Sequence, residues 1–115
     1  MVLGALSGLV AVAMAAYASH GLPPETAALA NTGASLQAWH ALALLGCGLL
    51  AERRRGPLVH VAAGCFAFGT LAFCGGVYLR VLSDLSVGLV TPLGGMSLLI
   101  GWGVLAAAAA LAPSK

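Results

Sequence analysis

Six side chains in this sequence join hydrogen-bonding or acid–base capacity to helical spacing: His20, Gln37 and His40, and Thr70, Cys74 and Tyr78. Gln37 and His40 are three residues apart and share one face of a helix. Thr70, Cys74 and Tyr78 recur every four residues and draw a polar stripe down another. Imidazoles serve as acid–base groups and as ligands of metals and haem. His20 and His40 are therefore the pair through which a haem or metal ion would be held. They have no carboxylate or thiolate beside them in the sequence, which leaves no standard metal pattern. The three cysteines, Cys47, Cys65 and Cys74, form no CxxC, so neither a zinc site nor a disulfide framework is written here. No phosphate-binding glycine loop, nucleophile elbow or carboxylate pair occurs, and no catalytic residue is assigned.

The elements that position these groups are set by composition. Of 115 residues, 61% are hydrophobic and 7% charged, against about 25% charged in a soluble domain. A helix crosses a bilayer with about 20 mostly apolar residues, and four such stretches use up the chain. Runs such as "GVLAAAAALA" are rich in the best helix formers, and the polar alternation of a membrane barrel is absent. The sequence therefore predicts an all-α membrane protein. It is one domain over residues 1–115, a compact bundle of four transmembrane helices near 2–19, 34–51, 58–81 and 91–111. The segment "HGLPPETAALANTG" is read as the first loop, with Pro23 and Pro24 ending the first helix. "AMAAYASH" resembles a cleavage site, but no basic region precedes the apolar run, so the first span is read as retained.

Arg53, Arg54 and Arg55 fill a short loop, and such loops stay cytoplasmic. Both termini, with Lys115, are then expected in the cytoplasm. In that orientation Tyr17, His20, Gln37, His40, Tyr78, Arg80 and Thr91 fall toward the outer leaflet, with Thr70 below them. The expectation is one polar cluster between the helices, since membrane-embedded polar groups face the bundle interior or a wet cavity. Two roles stay open for it, interhelical glue and a ligand site. Arg80 and Asp84 read as a surface ion pair or headgroup contact, His60 as interfacial, and Trp39, Trp102 and Tyr78 as interface anchors, with Trp102 rather deep for that role. Gly4, Gly8, Gly76 and Gly101 stand in small-xxx-small patterns that let helix backbones approach closely. A net charge of +2 gives no footprint for nucleic acid.

"AYASHGL", "NTGASLQAWHALALLG", "FGTLAFCGGVYL" and "VTPLGGMSLLIGW" occur in an order and spacing that resemble the domain of unknown function 423 family. Its eukaryotic relatives are called transmembrane protein 256. The resemblance spans about residues 4–103. It implies a small four-helix protein of the bacterial inner membrane, and it places His20, Gly33, Gln37, His40, Gly69, Tyr78, Thr91, Pro92, Gly94 and Gly95 on family motif positions. Cys74-Gly75-Gly76 departs from the family's serine-glycine-serine, and Trp39 replaces phenylalanine or tyrosine. The resemblance brings no reaction and no cofactor. Small size, glycine-rich faces and a lack of catalytic groups point to a non-catalytic accessory or assembly subunit. It would pack against other transmembrane subunits, for example of a respiratory or photosynthetic complex, or against copies of itself. The alternative is binding or transport of a small molecule, quinone, haem or lipid through the outer-leaflet polar pocket.

Overall fold

A computed structural model describes residues 2–53, 56–83 and 88–111. It contains four helices, α1 (Val2–Gly21), α2 (Pro24–Arg53), α3 (Leu58–Ser83) and α4 (Val90–Leu111). Each is long and apolar enough to cross a membrane. Arg54, Arg55, Asp84 and Lys115 lie outside the described residues.

Three helices keep close to their expected bounds, and α2 begins ten residues early. The stretch expected as a loop from Pro24 onward is helical. Pro24 occupies the first helical position, where its missing N–H costs nothing, and Glu25 offers a carboxylate to the first turn. The Ala27 amide donates to the Pro23 carbonyl at 2.8 Å, closing that turn. The prolines therefore end α1 and start α2, so only Leu22 and Pro23 separate the two helices. At 30 residues, α2 is about 45 Å long. Its middle now falls between Gln37 and His40. Gly56 and Gly88, both at positive φ, supply the left-handed backbone that the other two connections need.

Helix α1 packs on α2, α2 on α3, and α3 on α4, giving a flattened bundle of 50 × 26 × 17 Å. Glycines set the closest approaches. A Cβ on Gly69 would lie 2.8 Å from the Gly94 carbonyl oxygen, and one on Gly94 would lie 2.9 Å from the Gly69 carbonyl oxygen. The α3 and α4 backbones thus touch through a reciprocal glycine contact. Gly101 makes room for the Phe66 ring, Gly33 for Tyr78 and Val77, and Gly4 for Ala41 and Leu45. Gly8 and Gly95 have ordinary van der Waals neighbours instead, and Gly76 is buried. Below this layer Leu44, Cys47, Val59, Ala62, Phe66, Leu98 and Ala108 form the apolar core.

Candidate functional site

The long α2 carries the side chains with which the chemistry began, and it directs Gln37 and His40 to different neighbours. Gln37 is buried between α1 and α3. Its Nε2 donates to Ser7 Oγ at 3.2 Å, and its Oε1 accepts from the Tyr78 hydroxyl at 2.6 Å. One amide thus ties three helices. One turn on, His40 is 4% exposed and points to α3 and α4. The Trp102 indole N–H donates to His40 Nε2 at 3.0 Å, while His40 Nδ1 lies 2.6 Å from the Leu36 carbonyl oxygen.

These partners fix the protonation of the imidazole. Indole nitrogen only donates, so Nε2 must accept; a carbonyl only accepts, so Nδ1 must carry the proton. His40 is the neutral Nδ1–H tautomer with both nitrogens engaged. Phe66 completes an aromatic trio around it. Ring centroids stand 5.7 Å apart for His40–Phe66, 5.8 Å for His40–Trp102 and 5.0 Å for Phe66–Trp102. The last two are edge-on, the preferred geometry for ring pairs.

The polar stripe of α3 divides. Tyr78 reaches Gln37, and the Cys74 thiol meets the Gly33 carbonyl at 3.4 Å. Thr70 is buried, and its Oγ1 has no hydrogen-bond partner among the described residues. Further down, Ser97 Oγ of α4 donates to the Cys65 carbonyl at 2.9 Å.

The expected single cluster is in fact three separate groups. Gln37, Tyr78, Thr70 and Cys74 line a cavity between α1 and α3. His40 sits apart with Phe66 and Trp102. Arg80 and Thr91 line a third space with Leu29, Val77 and Pro92. Tyr17 is 44% exposed and its ring lies against Gly21 of its own helix. His20 is exposed near the end of α1, thirteen residues or about 20 Å along that helix from Ser7. Ser7 is level with Gln37, so His20 and His40 are too far apart to share an ion or a haem. Among the described residues, no three His, Cys, Asp or Glu side chains gather in a metal-binding group.

The early start of α2 accounts for the division. It places His40 about 24 Å from the helix start rather than just below an outer surface. Trp102, expected at an interface, sits midway along α4 as the donor to His40. Sequence reasoning passed over Ser7, Phe66, Ser97 and Trp102 as members of these networks. Lone hydroxyls inside apolar helices, at Ser7 and Ser97, were the available signal.

The family described as "Protein of unknown function (DUF423)" matches residues 14–95. The UPF0382 inner membrane protein YgdD of Escherichia coli strain K12 is 34% identical over 110 residues, covering 91% of this chain and 84% of the relative. The UPF0382 membrane protein YwdK of Bacillus subtilis strain 168 is 33% identical over 115 residues, covering 95% and 94%. A UPF0382 membrane protein of Staphylococcus epidermidis is 32% identical over 110 residues, covering 91% and 89%. No solved structure matches.

Proposed function

The chain belongs to the DUF423 family of multi-pass membrane proteins, and from that premise we propose that it acts without catalysis, as an accessory or assembly subunit. It packs sideways against a larger membrane complex, of which respiratory and photosynthetic assemblies are examples. One observation carries the reading. Helices α1 and α4 are edge helices, each packed along one neighbour, and they leave wide apolar faces free. Leu9 and Val12 on α1 are 67% and 71% exposed, and Leu99 on α4 is 67% exposed. The engagement of both ends of Gln37 and both nitrogens of His40 within the chain also supports it. These groups hold the helices, as interhelical hydrogen bonds in membranes commonly do, and the outer faces are what the protein offers to others.

The native mass of the protein, extracted from its own membrane in mild detergent, tests this. A mass raised by other polypeptides, which photo-cross-linkers at Leu9 or Leu99 also capture, is the expected result. A monomer, or a homo-oligomer alone, overturns it. The same reading keeps the Arg53–Arg55 loop and both termini cytoplasmic. A cysteine beside Arg53 should then resist an impermeant thiol reagent in intact cells.

A further inference from the structure

At the end of the bundle away from the α2–α3 loop, the start of α2, the end of α3 and the start of α4 border a cavity of about 480 Å³. Gly76 and Val77, both buried, form its base, and Leu29 and Pro92 flank it. Arg80 and Thr91 are the polar side chains that line it, and among the described residues no carboxylate does. Its depth follows from α3. Arg80 stands 22 residues beyond Leu58, the first residue of that helix, which is about 33 Å of rise. A bilayer's hydrocarbon core is ~30 Å thick. With the Arg53 end of the bundle at one membrane surface, Arg80 and its cavity therefore lie at the other, where the phosphates of that leaflet are. A guanidinium presents five donors in a planar fork that meets phosphate oxygens two at a time, and the Thr91 hydroxyl adds another donor.

We propose that this cavity is the headgroup site of one anionic phospholipid from the leaflet opposite the α2–α3 loop, its phosphodiester held by Arg80 and Thr91. The acyl chains stay in the bilayer beside α4, whose Leu93 and Met96 are exposed. The lining also sets the preference among headgroups. In phosphatidylethanolamine the ammonium beside the phosphate would meet no carboxylate in this lining and would stand close to the like-charged guanidinium. Phosphatidylglycerol carries neutral hydroxyls in that place and keeps its net negative charge, so the attraction of Arg80 is uncompensated by repulsion. The site belongs to a single chain and is independent of any partner on the outer faces of α1 and α4.

The test titrates the protein in mild detergent with phosphatidylglycerol or phosphatidylethanolamine and counts bound lipid by native mass spectrometry, with inorganic phosphate in a parallel titration. The wild type should bind one phosphatidylglycerol per chain about tenfold more tightly than phosphatidylethanolamine, a difference of roughly 1.4 kcal/mol, and should not take up inorganic phosphate. Arg80 is exposed, so Arg80→Gln leaves the packing of the helices alone and should erase the preference. Thr91→Val should weaken phosphatidylglycerol binding in the same direction. Arg53→Gln, at the opposite surface, should leave binding unchanged. The proposal fails if Arg80→Gln keeps the preference. It fails equally if Arg53→Gln removes as much of it, which marks unspecific charge contact, or if inorganic phosphate binds as tightly, which marks a site for a free anion. Asp84, four residues beyond Arg80, supplies the rival reading of an ion pair. A preference that emerges only in Asp84→Asn would show Arg80 committed to that pair and would overturn the site.

Discussion

The reciprocal contact of Gly69 and Gly94 makes two adjacent glycines respond oppositely to the same substitution. In Gly94→Ala the new methyl would press on the backbone nitrogen of Phe73, on the Ala72 Cβ at 2.9 Å and on the Gly69 carbonyl oxygen at 2.9 Å. Two of these three are backbone atoms, which cannot swing aside, so α4 must retreat from α3 by several tenths of an ångström. Overpacking of this kind costs about 1–3 kcal/mol. Replacing a helical glycine by alanine returns about 0.8–1.0 kcal/mol through helix propensity, leaving a net loss of up to about 2 kcal/mol. In Gly95→Ala the methyl meets only the Phe73 ring, at 3.6 and 3.9 Å. That is ordinary contact, so the propensity gain of up to about 1 kcal/mol survives. The assay is reversible unfolding in mixed micelles by SDS titration, followed by helical circular dichroism and by indole fluorescence. The two variants should bracket the wild type, about 1–3 kcal/mol apart. A Gly94→Ala protein at or above wild-type stability, or an equal loss in Gly95→Ala, would refute the idea that the α3–α4 crossing rests on backbone contact.

Four further outcomes follow from the hydrogen bonds and burial. Trp102→Phe keeps the ring packing on Phe66 but leaves His40 Nε2 without its donor, and should lower stability by about 0.6–1.7 kcal/mol in the same SDS titration. His40→Ala also opens a void beside Phe66 and should cost about 2–4 kcal/mol; a Trp102→Phe protein as stable as the wild type would show that the imidazole packs without its hydrogen bond. Gln37→Leu removes the link between α1 and α3, so disulfide cross-linking between cysteines placed at Leu6 and Leu71, which leave Ser7 and Tyr78 intact, should slow relative to the same pair with Gln37 present. Cys47 and Cys74, each 2% exposed, should label with a small lipid-soluble thiol reagent only after denaturation, whereas the half-buried Cys65 labels in the folded protein.

Hydropathy made the four helices legible because each span is nearly free of charge. It hid the start of α2 because Glu25, Asn31 and Thr32 make that turn look like a loop, although Pro24, Glu25 and the alanines after them favour a helix start. One misplaced boundary then misplaced every depth measured from it, and His40 moved from an outer rim to the middle of its helix. The link from Gln37 to Tyr78 was half visible, since both residues lay on recognisable polar faces. The link from His40 to Trp102 spans 62 positions and depends on how α2 and α4 are rotated, which no local spacing encodes. The glycines divided likewise. Small-xxx-small spacing marked Gly4 and Gly101 as packing sites, but only the folded bundle shows that they receive Leu45 and Phe66 from the same chain.

The direction of synthesis gives the α2 hydrogen bonds a temporal meaning. A chain is made from its N-terminus, so Gln37 and His40 enter the bilayer before the residues that satisfy them. Ser7 is already present, but Tyr78 arrives with α3 and Trp102 only with the last helix. Until then a buried amide oxygen and a ring nitrogen lack their donors in hydrocarbon, where no water replaces them. The nascent α1–α2 hairpin is thus an incomplete object with a chemical marker of its incompleteness. A chain truncated before Val90 has the Tyr78 donor but lacks the indole, so only the His40 nitrogen stays without its partner. Helix α3 satisfies the amide through the Tyr78 hydroxyl, and α4 then satisfies the imidazole through the Trp102 indole N–H.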